Sequence, residues 1–140
     1  MNEDEGLLLD THVWIWFEKA EPLVSPASRR RIEDAFRRDR LFIASISLLE
    51  VANQFRRKRI ALPVTLNQFF HDTLSKPGLR VKDLTPEIAL ETSALPPTFH
   101  GDPADRLIAA TARVEDLTLC THDKTLLLFG KQGLFRTLPI

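Results

Sequence analysis

Leu7-Leu8-Leu9 is a run of three leucines that stops at Asp10-Thr11 and passes straight into the aromatic stretch His12-Val13-Trp14-Ile15-Trp16. So short and so uniformly apolar a run reads as a strand buried on both faces, at the centre of a parallel sheet covered by helices. Asp10 then stands where that strand ends. In open α/β sheets ligands bind beyond the carboxyl ends of the strands, so a carboxylate there faces the functional side of the fold. What matters in the rest of the chain is which other acids reach the same edge.

Short apolar runs recur at residues 41–44 and 117–121, and residues 79–84 read as a further strand, with helical patterns between them. Residues 12–18 form a helix carrying Val13, Trp14, Trp16 and Phe17, too apolar all round for a free surface, and Pro22 ends it. These rings read as core first, with a protein-binding groove as their second use. Ser25-Pro26 is an N-cap with proline in the first turn and starts a basic amphipathic helix to about residue 38. Ser47-Leu48-Leu49-Glu50 opens a helix striped by Leu48, Val51, Ala52 and Phe55. Further helices are expected over 65–74, from Thr85-Pro86 to about 93, and from Asp102-Pro103 through the small-sided Ala109-Ala110-Thr111-Ala112, which must pack closely on a sheet. Residues 126–129 are apolar and short, and 134–138 fit a last edge strand. Strands alternating with helices predict an α/β fold, a three-layer α/β/α sandwich with a central, mostly parallel sheet, in one domain spanning 1–140.

Acids stand at corresponding points of successive units: Asp10 after the first strand, Glu50 in the helix after the second, Asp105 in the first turn of the late helix and Asp123 after the fourth strand. A parallel sheet brings all four junctions to one edge. Carboxylates so close raise one another's pKa, and a divalent cation removes the conflict. Oxygen donors without sulfur suit Mg2+ or Mn2+. The four histidines, His12, His71, His100 and His122, show no pair at ligand spacing on one helix, which argues against zinc; His100 reads as a loop residue. Each acid also has a plainer use. Ser47-x-x-Glu50 is a capping-box pattern, and Asp102-Pro103-x-Asp105 places one acid at an N-cap and another in the first turn. Asp10 is the poorest cap of the set, and the coincidence of four acids at one edge favours chemistry.

The 19 basic and 19 acidic residues cancel, so no global field draws in nucleic acid. The basic residues are clustered, however, as Arg29, Arg30, Arg31, Arg37, Arg38 and Arg40 and as Arg56, Arg57, Lys58 and Arg59. Such runs read as solvated helix faces or as a positive rim for phosphates. No apolar run approaches the roughly 20 residues of a membrane span. Glu3, Asp4 and Glu5 replace the basic start of a signal peptide, so a cytoplasmic protein is expected. Cys120, the one cysteine, lies in an apolar run and reads as a small core residue.

Residues 7–11 with the aromatic helix, Ser45-Ile46-Ser47-Leu48-Leu49-Glu50-Val51-Ala52, Asp102-Pro103-Ala104-Asp105-Arg106-Leu107-Ile108-Ala109-Ala110-Thr111-Ala112 and Thr121-His122-Asp123 together resemble the PIN-domain family. Within it the chain looks most like the toxin ribonucleases of bacterial VapBC-type toxin–antitoxin pairs. The resemblance covers essentially the whole chain in the family's order, and the segment from Asp105 to Ala112 is its most specific part. It carries the family's acidic quartet onto Asp10, Glu50, Asp105 and Asp123, with Thr11 as the hydroxyl after the first acid and Asp102 as an accessory acid. His122 departs from the small or polar residue often found there. The implied activity is metal-dependent hydrolysis of RNA by in-line attack, leaving a 3′-hydroxyl and a 5′-phosphate, with one or two Mg2+ or Mn2+ ions on Asp10, Asp105 and Asp123 and Glu50 assisting. An antitoxin partner and a homodimer are implied too, and Arg106, Arg56 and Arg57 become candidates for phosphate contacts. A housekeeping RNA-processing nuclease and a non-catalytic PIN-fold module are the alternatives. A phosphatase would want Asp-x-Asp after the first strand or a glycine-rich loop, which this chain lacks.

Overall fold

The computed structural model describes residues 4–99 and 101–140, so the expected loop position of His100 lies outside the described residues. The strands are β1 (Leu7–Leu9), β2 (Leu41–Ala44), β3 (Leu79–Lys82), β4 (Thr118–Thr121) and β5 (Thr137–Pro139). The helices are α1 (Thr11–Glu18), α2 (Pro26–Arg37), α3 (Ser45–Arg56), α4 (Leu66–Leu74), α5 (Pro86–Ala94), α6 (Pro103–Val114) and α7 (Lys124–Lys131). They surround one sheet of order β3-β2-β1-β4-β5. Every pairing in it is parallel, so the expected "mostly parallel" sheet is wholly parallel.

The leucine run explains the layering. Successive side chains of a strand point to opposite faces. Leu7 and Leu9 accordingly enter a core with Val13, Trp14, Ile32, Ala35, Val51 and Phe69, while Leu8 enters a second core with Ile108, Ala109, Ala112, Leu126 and Phe129. All three leucines are buried because both faces are covered by helices. The small side chains of α6 are buried as expected, and Cys120 lies in the first core, where burial pushes its thiol pKa up.

Helix starts follow the local chemistry. Ser25, Thr65, Thr85 and Asp102 each accept a hydrogen bond from the backbone N–H three residues on, at 2.9–3.2 Å, and Pro26, Pro86 and Pro103 follow three of them. Replacing Ser25 by Ala leaves the Ser28 N–H without its partner and is expected to cost about 1 kcal/mol. Thermal melting checks this, with a fall in Tm of a few degrees as the expected result.

Four details differ from expectation. α1 ends before Pro22, at a turn through Ala20 with φ of 54°, so proline does not stop it. α3 begins at Ser45, directly after β2, and Ala44 is its N-cap without a side-chain bond; Ser47 is therefore inside the helix and caps nothing. The apolar residues 126–129 belong to α7, where Asp123 caps the start and Leu126 and Phe129 share the buried side. The last strand is shorter than 134–138 and shifted to Thr137–Pro139. At the tight turn before β3, Gly78 has φ of 112°, and a Cβ there would come within 2.7 Å of the Phe36 carbonyl oxygen, so only glycine fits.

The first basic run lies at the amino end of the sheet, away from Asp10. Arg31 pairs with Glu5 at 2.6 Å, Arg38 with Asp34 at 2.9 Å, and Arg40 bonds the Asp4 carbonyl at 3.2 Å. Arg29 reaches the carbonyls of Phe17 and Glu21. These side chains brace the segments entering β1 and β2, so they do not form a phosphate rim beside the acids. Among the described residues no helix is long and apolar enough to cross a membrane.

Candidate active site at the carboxyl edge of the sheet

β1 sits between β2 and β4, and the chain builds outward from it in both directions. That makes the carboxyl ends of β1 and β4 the crevice of the sheet, the place where such folds bind ligands. Asp10 follows β1 there and Asp123 follows β4. With Glu50, Asp102 and Asp105 they line one cavity of about 370 Å3, so the sheet does gather the acids it was expected to gather. A larger cleft of about 820 Å3 opens at the opposite edge around Glu5, Arg113 and Arg136, but its charges meet one another, Arg113 with Glu91 and Arg136 with Asp116. Volume alone is a poor guide here, and the acidic cavity is the one with charges left to satisfy.

Asp10 is nearly buried, 9% exposed. It stands at the N-cap position of α1, but its side chain accepts from the N–H of the next residue and not from one further into the helix, in keeping with its reading as the poorest cap of the set. Its Oδ1 accepts from the Thr11 N–H and its Oδ2 from the Thr121 hydroxyl, both at 2.8 Å. Burial raises its pKa against the lowering effect of those two bonds. Thr121 Oγ in turn accepts from the Asp123 N–H at 3.0 Å, so one hydroxyl ties the two strand-end acids together. Asp123 itself is exposed and caps α7 through a bond from the Leu126 N–H at 3.0 Å.

Glu50 reaches the site from the second turn of α3. The Thr11 hydroxyl donates to Glu50 Oε1, and its oxygen lies 2.8 Å from Ser47 Oγ. Because the Thr11 proton is committed to Glu50, Ser47 supplies the donor of the second bond. This chain from Ser47 through Thr11 to Glu50 replaces the capping box read from the sequence. Burial, opposed by the bond from Thr11, holds the Glu50 carboxyl above its ordinary value.

Asp105 lies in the first turn of α6, behind the N-cap Asp102. Its pKa is pushed up to about 7, first by burial and then by Asp102, Asp10, Asp123 and Glu50, each of which repels its charge. One residue therefore feels all the others, which is the electrostatic sign that they form a single cluster. Asp102 both caps α6 and lines the cavity, so its two readings are compatible.

The donor set is carboxylate and hydroxyl oxygen, which fits Mg2+ or Mn2+. Among the described residues no three acidic, imidazole or thiol groups converge closely enough for a closed cage. An ion that keeps several of its waters and takes one or two carboxylates directly needs no such cage. Five acids and, among the described residues, no arginine or lysine line this cavity, and that concentration of negative charge is what a cation would relieve.

Arg106 does not point its charge at this cavity. It bonds the carbonyls of Phe99 at 2.5 Å and Thr92 at 2.7 Å and lies over the Phe99 ring, fastening α5 to α6. It is a brace, and its candidacy as a phosphate contact is withdrawn. Arg56 bonds Asn53 on its own helix, and neither it nor Arg57 lines the cavity. Sequence reasoning missed Ser47 and Thr121 as connectors, and it missed the rest of the cavity's lining, His12, Trp16, Gln54 and His122. The signal for Thr121 was present, since a hydroxyl at the end of a strand beside two acids has few other uses.

The family model described as PIN domain matches residues 7–131. The chain is 37% identical over 120 residues to Ribonuclease VapC22 of Mycobacterium tuberculosis, covering 86% of this chain and 88% of the relative. Its fold is similar to that of DNA-bound VapBC from Salmonella typhimurium, with a TM-score of 0.71, 22% identity and coverage of 96% of this chain and 98% of that one. VapBC2 from Rickettsia felis, bound to a promoter DNA fragment, gives a TM-score of 0.70 at 18% identity with the same coverage. With its sheet order, its acids at the carboxyl edge and these similarities together, the chain belongs to the PIN-domain family.

Proposed function

We propose that the protein is a divalent-metal-dependent endoribonuclease that hydrolyses RNA phosphodiester bonds as the toxin of a toxin–antitoxin pair, acting in the cytoplasm as one domain over residues 1–140. The observation that carries this reading is the convergence of Asp10, Glu50, Asp102, Asp105 and Asp123 on one cavity at the carboxyl edge of the sheet, where burial and then the other four acids raise the Asp105 pKa. The relative named a ribonuclease and the VapBC complexes among the similar structures support the same assignment.

Asp10, Asp105 and Asp123 would hold Mg2+ or Mn2+, with Glu50 and Asp102 beside them. When bound there, such an ion supplies Lewis acidity, lowering the pKa of water and balancing charge on the phosphate. The chain's own residues do the rest. Thr121 ties the Asp10 carboxylate to the backbone N–H of Asp123, which places the first strand-end acid beside the start of α7. Thr11, oriented by Ser47, fixes Glu50 through Oε1, and Oε2 is then the oxygen that would take the proton of the attacking water. The apolar sheet behind Asp10 excludes bulk water and strengthens each of these interactions.

Antitoxin binding and self-association belong to the same proposal. Two apolar clefts support protein contacts: one where exposed Leu49 and Leu84 flank Ile46, Ile88 and Leu107, and one of about 640 Å3 along Leu62, Pro63, Val64 and Phe69. The direct test is cleavage of labelled total RNA by purified protein. Fragments are expected in Mg2+ or Mn2+, and EDTA is expected to abolish them, with recovery on adding excess metal. Cleavage that persists in EDTA would sink the metal-dependent reading.

A further inference from the structure

Aromatic rings line the acidic cavity beside the carboxylates: His12, Trp16 and His122. Trp16, from the second turn of α1, packs part of its indole on the core and leaves the remainder at the cavity rim. His122 stands edge-on to it, with ring centroids 5.7 Å apart and planes 74° apart, and His12 lies tilted at 6.1 Å. His122 is itself held, because its Nδ1 lies 2.6 Å from the Ile140 carbonyl oxygen, which can only accept. The indole is thus positioned from two sides before any ligand arrives. Neither an ion nor a water needs such a surface, and leaving an indole partly exposed forfeits burial that the nearby core offers.

We propose that Trp16, braced by His122, is the stacking surface for a nucleobase of single-stranded RNA whose neighbouring phosphate a divalent cation on Asp10 and Asp105 would bind, and so positions the strand for cleavage. This rests on the nuclease reading above. An unpaired base offers a π-face to stack on an aromatic side chain, whereas paired bases in an A-form duplex do not. The cavity, at about 370 Å3, is within the range of sites that take small organic ligands. Gln54, in the same lining, presents an amide that can meet a base edge. The lining therefore combines acids that would hold a cation for the phosphate with a flat ring for the base, and predicts a substrate that is single-stranded where it is cut.

The test uses fluorescent ten-nucleotide oligouridylate and oligoadenylate and a ten-unit abasic ribose-phosphate chain, which keeps the charges and lacks the bases. Binding is measured by anisotropy in Ca2+, which takes the same oxygen ligands as Mg2+ in looser geometry, with the parent protein and with Trp16→Ala, Trp16→Leu or Trp16→Phe. Trp16→Leu keeps apolar packing if the alanine variant fails to fold. The alanine and leucine changes are expected to weaken binding of the base-bearing oligomers roughly 10- to 100-fold and to leave the abasic chain unchanged, with Trp16→Phe recovering most of the loss. Equal losses on all three oligomers would show that the ring acts only through packing, and no loss on any would show that no base meets it; either overturns the stacking assignment. Cleavage by the parent protein separates the two readings. If it cuts the oligomers in Mg2+ while either result just named holds, stacking alone falls; if it neither binds nor cuts them, the nuclease reading falls and stacking with it.

Discussion

Replacing Asp10 by Asn is expected to reduce metal-dependent RNA cleavage on the order of 10^3-fold while leaving the fold intact. The substitution removes the charge that the proposed ion needs and retains a side chain of the same shape. The Asn oxygen can still accept from the Thr11 N–H, and the Thr121 hydroxyl, which now donates to Asp10 Oδ2, can rotate to accept from the new amide. Ala would be a worse probe. It would strand a buried N–H and a buried hydroxyl, at about 1–3 kcal/mol each, and a loss of activity could then be a loss of structure. Asn also relieves the cost of holding a carboxylate in a nearly buried position, so the melting temperature of the variant should equal or exceed that of the parent. Initial rates on labelled RNA in Mg2+, with thermal melting of both proteins, check the pair of expectations. Activity within tenfold of the parent would remove Asp10 from the reaction.

What the amino-acid sequence makes legible is whatever depends on local pattern. The leucine run, the capped starts at Ser25 and Asp102 and the small side chains of the late helix all announce themselves, because burial and capping constrain residues within a few positions. The four acids were legible for a related reason: parallel strands all end at one edge, so position along the chain translates into position in space. The misreadings occur where a group's partner lies far away in sequence. Ser47 matched a capping pattern, yet β2 runs directly into α3 and leaves Ser47 inside the helix, free to meet Thr11. Arg106 was a candidate phosphate contact beside the acids; its acceptors are the Thr92 carbonyl in the last turn of α5 and the Phe99 carbonyl in the segment after it. α7 was missed because four consecutive apolar residues carry no clear period, and its identity rests on the cap that Asp123 provides. The aromatic wall was invisible for the same reason as the relays: Trp16 and His122 belong to elements that only the sheet brings together.

Replacing Asp105 by Asn should stabilise the metal-free protein at pH 8 and, at the same time, lower RNA cleavage by about 10^2- to 10^3-fold. The carboxyl's ordinary value of 3.8 is pushed up to about 7 in the folded chain. Between those values the folded state binds more protons than the unfolded state, so stability falls as pH rises through that window and stays low above it. At pH 8 the parent carries the full cost of an ionised Asp105 facing four other acids, and Asn carries none of it. Because Asp105 is only partly buried, solvent screening limits the gain to about 1–2 kcal/mol. Loss of an acid from the first turn of α6 subtracts about 0.3–1 kcal/mol of helix-dipole stabilisation, which leaves the balance in favour of the variant. Toward pH 4 the difference should vanish or reverse, since the parent carboxyl is then neutral too. Burial raises Asp10 and Glu50 in the same direction, so the metal-free parent as a whole should melt lower at pH 8 than at pH 6. Saturating Mg2+ should raise its melting temperature at pH 8, and raise that of Asp105→Asn less. An acid kept for capping would behave in the opposite way, since its removal would destabilise the protein at every pH where it is ionised. Melting curves of both proteins at pH 5 and pH 8, with Mg2+ and with EDTA, therefore separate the two roles, and a variant that melts below the parent at pH 8 in EDTA would return Asp105 to the status of a helix-start residue.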